Sequence, residues 1–175
     1  PFENTPENAR EILANLGKNI DVVGGIFDET MLDLRHCAGL ELSREPFCCA
    51  VSIHHRLAAK DKLKIKDLYG ENLMLMRRDW SSYVDQLRDE IWQHHSEIHI
   101  IDFDFYSMEA FNRCENSNDV LLAIPGWANV HPLLKVIPVE WEHSIPFGLL
   151  HSTRPSETVK KFLEAARTVA DKIEN

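Results

Sequence analysis

Short apolar runs alternate with helical stripes over the middle of this chain, and that alternation limits the possible fold more than any single motif. The runs lie at 72–76, 98–103 and 120–124, and the amphipathic stretches between them lie at 83–95 and 107–115. Strands that alternate with helices need right-handed crossovers, which place helices on both faces of a mostly parallel sheet. The sequence therefore predicts an α/β fold.

The same pattern extends toward both ends of the chain. A threonine–proline pair predicts the start of a helix at 5–17, and a strand at 20–27 follows it. Two further strands at 135–139 and 145–151 precede a long helix, whose apolar stripe runs through 159–173.

The composition indicates a folded protein with little affinity for nucleic acid. The chain has 175 residues, 44% of them hydrophobic, and no low-complexity tract. Lys and Arg total 19 against 28 Asp and Glu, and the net charge of -9 repels phosphate backbones. No apolar run approaches the ~20 residues that span a bilayer, and the first residues lack the basic and apolar regions of a signal peptide. We therefore expect a cytoplasmic protein that does not enter a membrane or bind DNA by itself.

The cysteines and histidines show no metal-binding motif. Cys48 and Cys49 are adjacent, so their side chains would face opposite sides of a strand, and no cysteine lies in a Cys-x-x-Cys motif. Buried free thiols are the better interpretation. His95 and His99 have the spacing of helical metal ligands, but the helix is expected to end near His95. We therefore expect neither a metal nor a cofactor.

Four short motifs occur in an informative order. A strand-like run at 46–53 leads into His55-Arg56-Leu57-Ala58 and, after a basic spacer, into Ile65-Lys66-Asp67-Leu68-Tyr69-Gly70. Ser107-Met108-Glu109-Ala110 opens a predicted helix, and an apolar strand at 120–125 ends in proline. This order resembles the regulatory domain of LysR-type transcriptional regulators, in which the first motifs mark the crossing between two subdomains.

The chain departs from the family at two places. Arg56 stands where the family's His-Pro-Leu-Ala has proline, and Asn116-Ser117-Asn118-Asp119 replaces a glycine-rich approach to the strand at 120–124. The second difference weakens any transfer of binding geometry at that turn.

The resemblance implies two Rossmann-like subdomains joined by two crossover strands, as in type 2 periplasmic binding proteins. Subdomain I would comprise 1–51 and 131–175, and subdomain II would comprise 52–130. The family's first strand and first helix have no counterpart, so subdomain I is expected to be incomplete. The family's winged helix-turn-helix is also without a counterpart, so DNA would be bound only through an absent N-terminal domain.

The resemblance also implies how such a domain works. A small anionic metabolite, such as a carboxylate, would bind between the lobes and shift their population toward a closed state. Family members form homodimers or homotetramers through antiparallel pairing of these domains. The helix at 83–95, with Trp92 near its end, is the candidate surface, although a stripe that faces the core explains its other apolar residues equally well.

The first candidate site for the effector follows the strand at 72–76. Arg77, Arg78, Trp80 and Ser81 lie between that strand and a helix start, where N–H groups and the helix dipole attract anions. The resemblance supports effector contact by this loop. A solvated arginine pair followed by an ordinary serine cap is the alternative interpretation.

The matching strand end supplies Tyr106 and Ser107, and a capping hydroxyl such as that of Ser107 can also bind a carboxylate. Gly25, Ile26 and Phe27 would face this site from subdomain I, and Trp127 would form another edge. The aromatic residues could instead belong to the core or to a lobe interface.

No catalytic motif is visible. The chain has no Gly-x-Ser-x-Gly sequence and no glycine-rich phosphate loop. Binding without catalysis is therefore the expected role. A two-lobed solute-binding protein of a transport system is the alternative, because such proteins share the implied fold.

Overall fold

The computed structural model describes residues 6–173, so the predicted helix start at Thr5 lies outside the described residues. The helices and strands alternate along the chain as expected for an α/β protein. In chain order they are α1 (Pro6–Ala14), β1 (Val22–Ile26), α2 (Glu29–Arg35), β2 (Cys37–Pro46), β3 (Cys48–Ser52), β4 (Asn72–Met76), α3 (Ser82–His94), β5 (His99–Phe103), α4 (Met108–Glu115), β6 (Val120–Ala123), β7 (Leu134–Pro138), β8 (Ser144–Ser152) and α5 (Glu157–Ile173). No helix in this part of the chain is long and apolar enough to cross a membrane.

Two compact units divide the chain. The first unit contains the residues up to Arg44 and those from Ile145 onward, and the second unit is Glu45–Ser144. The compact units end at other residues than the subdomains predicted with boundaries at 51/52 and 130/131, which stay a prediction. Within the second unit, β3 pairs with both β6 and β7. That pairing places β3 and β7 in the second compact unit.

The first unit is built on a three-stranded sheet in the order β1-β8-β2. β1 runs antiparallel to β8, with Val22 opposite His151 and Ile26 opposite Phe147. Gly148 on β8 allows β2 to approach closely, because a Cβ atom there would lie 1.9 Å from the backbone oxygen of Leu40. The packing of β2 against β8 therefore requires glycine at position 148.

The second unit contains a five-stranded sheet in the order β5-β4-β6-β3-β7. β4 is parallel to β5 and β6, whereas β3 is antiparallel to β6 and β7. The sheet is therefore mixed, and its parallel part is the alternating segment that the sequence predicted. All five residues of β3 are buried, as expected for a strand covered on both faces.

The His55 motif forms a capped 3₁₀ turn, Arg56–Ala59. The Nδ1 atom of His55 accepts a hydrogen bond from the Leu57 amide at 3.1 Å. Arg56 occupies the first position of the turn, where proline is well tolerated, and its Nε donates to Glu71 Oε1 at 2.5 Å. The arginine therefore replaces the family's proline with an ion pair to the residue before β4.

The cysteines are buried and unpaired in the described residues. Burial raises the pKa of Cys48 to about 11 and that of Cys114 to about 12. Both thiols are therefore protonated at neutral pH and behave as small apolar groups.

Candidate functional site

Three chain segments meet at one edge of the sheet in the second unit. β4, β5 and β6 are parallel, so their carboxyl ends, at Met76, Phe103 and Ala123, lie along the same edge. α3 and α4 both begin there, after β4 and β5. Ligands of α/β sheets collect at such edges, because helix N-termini offer N–H groups and a positive dipole end. We call this edge, with the segments 77–81, 104–107 and 124–127, the carboxyl edge.

Arg77 connects two of these segments. Its amide donates to the Phe103 carbonyl at 3.0 Å, and its Nη1 lies 3.1 Å from Asp104 Oδ1. The Cζ atom of Arg77 is 5.8 Å from the centroid of a ring of Trp80, within the range of a cation–π contact. The guanidinium is half-exposed, so a ligand could exchange with the solvated carboxylate of Asp104.

Arg78 is directed along α3. It forms an ion pair with Asp89, and the hydrogen bond to Asp89 raises the pKa of Arg78 above its ordinary value. The next residue, Asp79, has a φ of 69° and donates its amide to Asp85 Oδ2 at 3.1 Å. The two arginines, although adjacent in sequence, are thus held by different partners.

Ser81 is the N-cap residue of α3, but its hydroxyl does not cap the helix. The residue is only 9% exposed, and its Oγ atom has no hydrogen-bond partner. Leaving a buried polar group unpaired costs about 1–3 kcal/mol. The hydroxyl therefore favours any ligand or rearrangement that supplies a partner.

Two other buried atoms without a partner lie on the same face of α3, namely Asp85 Oδ1 and Arg88 Nε. Positions 81, 85 and 88 are spaced four and three residues apart, which places them on one side of a helix. Arg35 Nε is the fourth such atom in the described residues, so this helix face carries most of the unsatisfied polar groups.

Arg88 was not among the predicted site residues. It is buried, and its Nη2 lies 2.7 Å from the Met76 carbonyl oxygen and 2.7 Å from Asp102 Oδ1. The guanidinium thus joins the ends of β4 and β5 beneath the carboxyl edge. The sequence contained one signal for this role, an arginine directly after Leu87 on the apolar stripe of the helix.

Tyr106 and Trp127 belong to an aromatic cluster with Phe103 and Phe111. Ring centroids are 4.4 Å apart for Tyr106 and Trp127, and 4.8 Å apart for Tyr106 and Phe103. The Tyr106 hydroxyl donates to the Leu122 carbonyl at 2.9 Å, and burial raises the pKa of Tyr106. The tyrosine hydroxyl is therefore committed to the protein, and only the ring remains for a ligand.

Ser107 caps α4 as predicted, because its Oγ accepts from the Ala110 amide at 3.4 Å. The residue is only partly buried. Its capping role is thus observed, while its contact with an effector stays a prediction.

Gly25, Ile26 and Phe27 belong to the first unit. Gly25 lies opposite Gly148 in the sheet, and the ring of Phe27 is buried in that unit's core with Leu16 and Leu150. The Phe27 ring therefore packs within its own unit, and the contact of this segment with an effector stays a prediction.

No group of His, Cys, Asp or Glu side chains within residues 7–172 is arranged to hold a metal ion. His95, one of the two histidines with helical ligand spacing, instead places its Nδ1 3.0 Å from the Tyr69 hydroxyl. α3 ends at His94, so His99 does not continue the same helix.

Several solved structures have the same fold as this chain. The effector binding domain of QuiR in complex with shikimate is similar with a TM-score of 0.67 and 16% identity, over 93% of this chain and 78% of that one. The BenM effector binding domain with its effector benzoate is similar with a TM-score of 0.62 and 16% identity, and the match covers 99% of this chain and 78% of that one. CbnR, a LysR family transcriptional regulator, is similar with a TM-score of 0.68 and 17% identity. The match covers 94% of this chain and 56% of CbnR.

No curated protein sequence matches the chain significantly. The family described as "LysR substrate binding domain" matches residues 2–171. This match agrees with the motif order around His55, Ser107 and Pro125, and it favours a regulator over a solute-binding protein of a transport system. The chain therefore belongs to the LysR substrate binding domain family, the effector-binding domains of LysR-type transcriptional regulators.

Proposed function

We propose that the carboxyl edge of the second unit binds the carboxylate of a small effector, and that this chain senses the effector without catalysis. The observation that carries the proposal is the Ser81 hydroxyl, which is buried at the start of α3 and has no partner. A carboxylate beside it would accept from the hydroxyl and lie at the positive end of the helix dipole.

Other residues of the edge have supporting roles. The Arg77 guanidinium is half-exposed and can turn from Asp104 toward a bound carboxylate, and Arg78 can do the same from Asp89. Trp80, Trp127 and the ring of Tyr106 supply apolar walls. Ser107 offers a second hydroxyl at the start of α4.

The test compares two serine variants in calorimetric titrations with small carboxylates, beginning with shikimate and benzoate and including common amino acids. Ser81→Ala should lower the affinity of the bound compound ten- to hundredfold, because a hydrogen bond to a charged group contributes about 1.5–3 kcal/mol. The exposed Ser96 provides the control, and Ser96→Ala should leave the affinity unchanged.

Stability separates this role from ordinary capping. Ser81 makes no cap hydrogen bond, so Ser81→Ala should leave the free energy of unfolding unchanged or slightly higher. Ser107 does cap its helix, so Ser107→Ala should cost about 1 kcal/mol. If Ser81→Ala destabilises the fold by that amount and leaves every affinity unchanged, the proposed site is wrong.

We propose that DNA binding and assembly complete the function. CbnR has also been solved in complex with its target DNA. The net charge of -9 on this chain disfavours phosphate contacts, so a separate domain would bind DNA in the cytoplasm. A homodimer or homotetramer would form through the exposed face of α3, where Trp92 is 80% exposed.

A further inference from the structure

The carboxyl edge, taken together with the adjoining part of α3 (82–89) and Asp102 on β5, carries more negative than positive side chains. Three arginines lie in this region, and each already has an aspartate partner: Arg77 with Asp104, Arg78 with Asp89, and Arg88 with Asp102. Two further aspartates, Asp79 and Asp85, form no ion pair in the described part of the chain. Arg78, which is paired with Asp89, interacts with these two carboxylates only through longer-range electrostatics, so neither has an ion-pair partner of its own among the described residues.

Asp85 is held in place by one of its two oxygens. Oδ2 accepts from the Asp79 amide at 3.1 Å, whereas Oδ1 is buried without a partner. An ionised carboxylate only accepts hydrogen bonds, so Oδ1 needs a donor. Ser81 lies one turn earlier on the same helix face, and its hydroxyl is also unpartnered.

These two positions favour opposite groups of a ligand. The start of α3 with Ser81 attracts a carboxylate. Asp85, with Asp79 beside it, attracts a group that donates hydrogen bonds and carries positive charge. An ammonium group has three donors and no acceptor, so it suits Asp85 better than a hydroxyl does.

We propose that the effector of this domain is an amino-bearing carboxylate, with its carboxylate at Ser81 and its ammonium group at Asp85. The inference rests on the proposed function and adds the chemical class of the effector. A dicarboxylate would add negative charge to a region that already has two carboxylates without an ion-pair partner, and a plain monocarboxylate would leave Asp85 Oδ1 without a donor.

The experiment compares matched sets of acids that differ only at the second carbon. One set is L-phenylalanine, 3-phenyllactate and 3-phenylpropanoate, and the same amino, hydroxy and unsubstituted acids are taken for the other common amino acids. Thermal shift identifies the skeleton that binds, and calorimetry then measures the three affinities. The amino member should bind at least tenfold more tightly than either of its counterparts.

Asp85→Asn keeps the shape of the side chain and an oxygen for the Asp79 amide, but it removes the charge. It should weaken amino-acid binding at least tenfold and leave the hydroxy acid unchanged. Glu97, an exposed acid of the same unit, gives the control Glu97→Gln, which should not alter any affinity. If Asp85→Asn does not fold, Asp79→Asn removes the other carboxylate that has no ion-pair partner, at a left-handed position that asparagine tolerates.

The possible outcomes separate the two proposals. If the unsubstituted acids bind as tightly as the amino acids and Ser81→Ala weakens them, the amino-acid inference is overturned and the proposed site stands. If Asp85→Asn and Asp79→Asn both keep the preference for the amino member, the inference also fails. If no acid of any set binds, or if Ser81→Ala changes no affinity, the proposed carboxylate site and the amino-acid inference are both wrong.

Discussion

The Arg88 guanidinium lies 2.7 Å from the Asp102 carboxylate and also donates to the Met76 carbonyl at 2.7 Å. One side chain of α3 is thus bonded to β4 and β5 at once, where the two strands reach the carboxyl edge. Arg88 is buried, but Asp102 is largely exposed. We therefore expect the stability of the second unit to depend more on Arg88 than on Asp102.

Arg88→Met should destabilise the second unit by about 1–3 kcal/mol, because the buried Met76 carbonyl loses its donor. Arg113 on α4 provides a matched control, since its side chain is half-exposed and lies 3.6 Å from Asp119, which also accepts from the Asn72 amide group at 2.9 Å. Arg113→Met should change stability by about 0–1 kcal/mol. Urea denaturation of the two variants measures the difference, and equal effects would show that Arg88 is not a structural link.

Gly148 and Gly24 lie on paired strands but differ in the space around them. A Cβ atom at Gly148 would lie 1.9 Å from the Leu40 backbone oxygen, whereas no atom lies within 4 Å of one at Gly24. Gly148→Ala should therefore cost about 3 kcal/mol through overpacking, while Gly24→Ala should gain about 0.5 kcal/mol. Denaturant unfolding measures both, and a well-tolerated Gly148→Ala would contradict the close approach of β2 to β8.

Strong periodicity explains why the second unit was predictable from sequence. The predicted strand at 72–76 coincides with β4, and the predicted helix at 83–95 differs by one residue at each end from α3. In contrast, α2 was not predicted. It is seven residues long and has no buried residue, so no apolar stripe marks it.

The candidate site was only partly predictable for a different reason. A serine before a helix predicts a cap in general, but Ser107 caps its helix and Ser81 does not. Likewise, the sequence shows that Arg77 and Arg78 are adjacent, but not that each is paired with a different aspartate. Such pairings depend on side-chain geometry across several elements, which a single sequence does not reveal.

The buried thiols predict a loss of stability at alkaline pH. Burial raises the pKa of Cys48 to about 11 and that of Cys114 to about 12, above the ordinary value of 9.0. A raised pKa means that folding favours the protonated thiol, so the contribution to stability is complete below pH 9 and is lost as pH rises toward 11–12. Urea denaturation between pH 8 and pH 11 should show this decline, since the unfolded chain releases these protons first.

Alanine variants assign the decline to the thiols. Cys114→Ala should show a shallower loss of stability than the wild type over the same pH range, even if its stability at pH 8 is lower because of the lost packing. The comparison of slopes removes the contribution of other groups that titrate at high pH. An unchanged slope in both Cys48→Ala and Cys114→Ala would show that these thiols do not contribute.

The exposed face of α3 predicts self-association. Trp92 is 80% exposed and follows the buried Ile91, so its indole lies on the face of α3 that is turned away from the core. Sedimentation velocity should show a concentration-dependent dimer. A buried interface tryptophan typically contributes about 2 kcal/mol or more, so Trp92→Ser should weaken dimerisation more than tenfold. Phe162 on α5, also 52% exposed, gives the control, and Phe162→Ser should leave the dimer unchanged. A strictly monomeric wild type, or equal dissociation constants for wild type and Trp92→Ser, would contradict assembly through this helix.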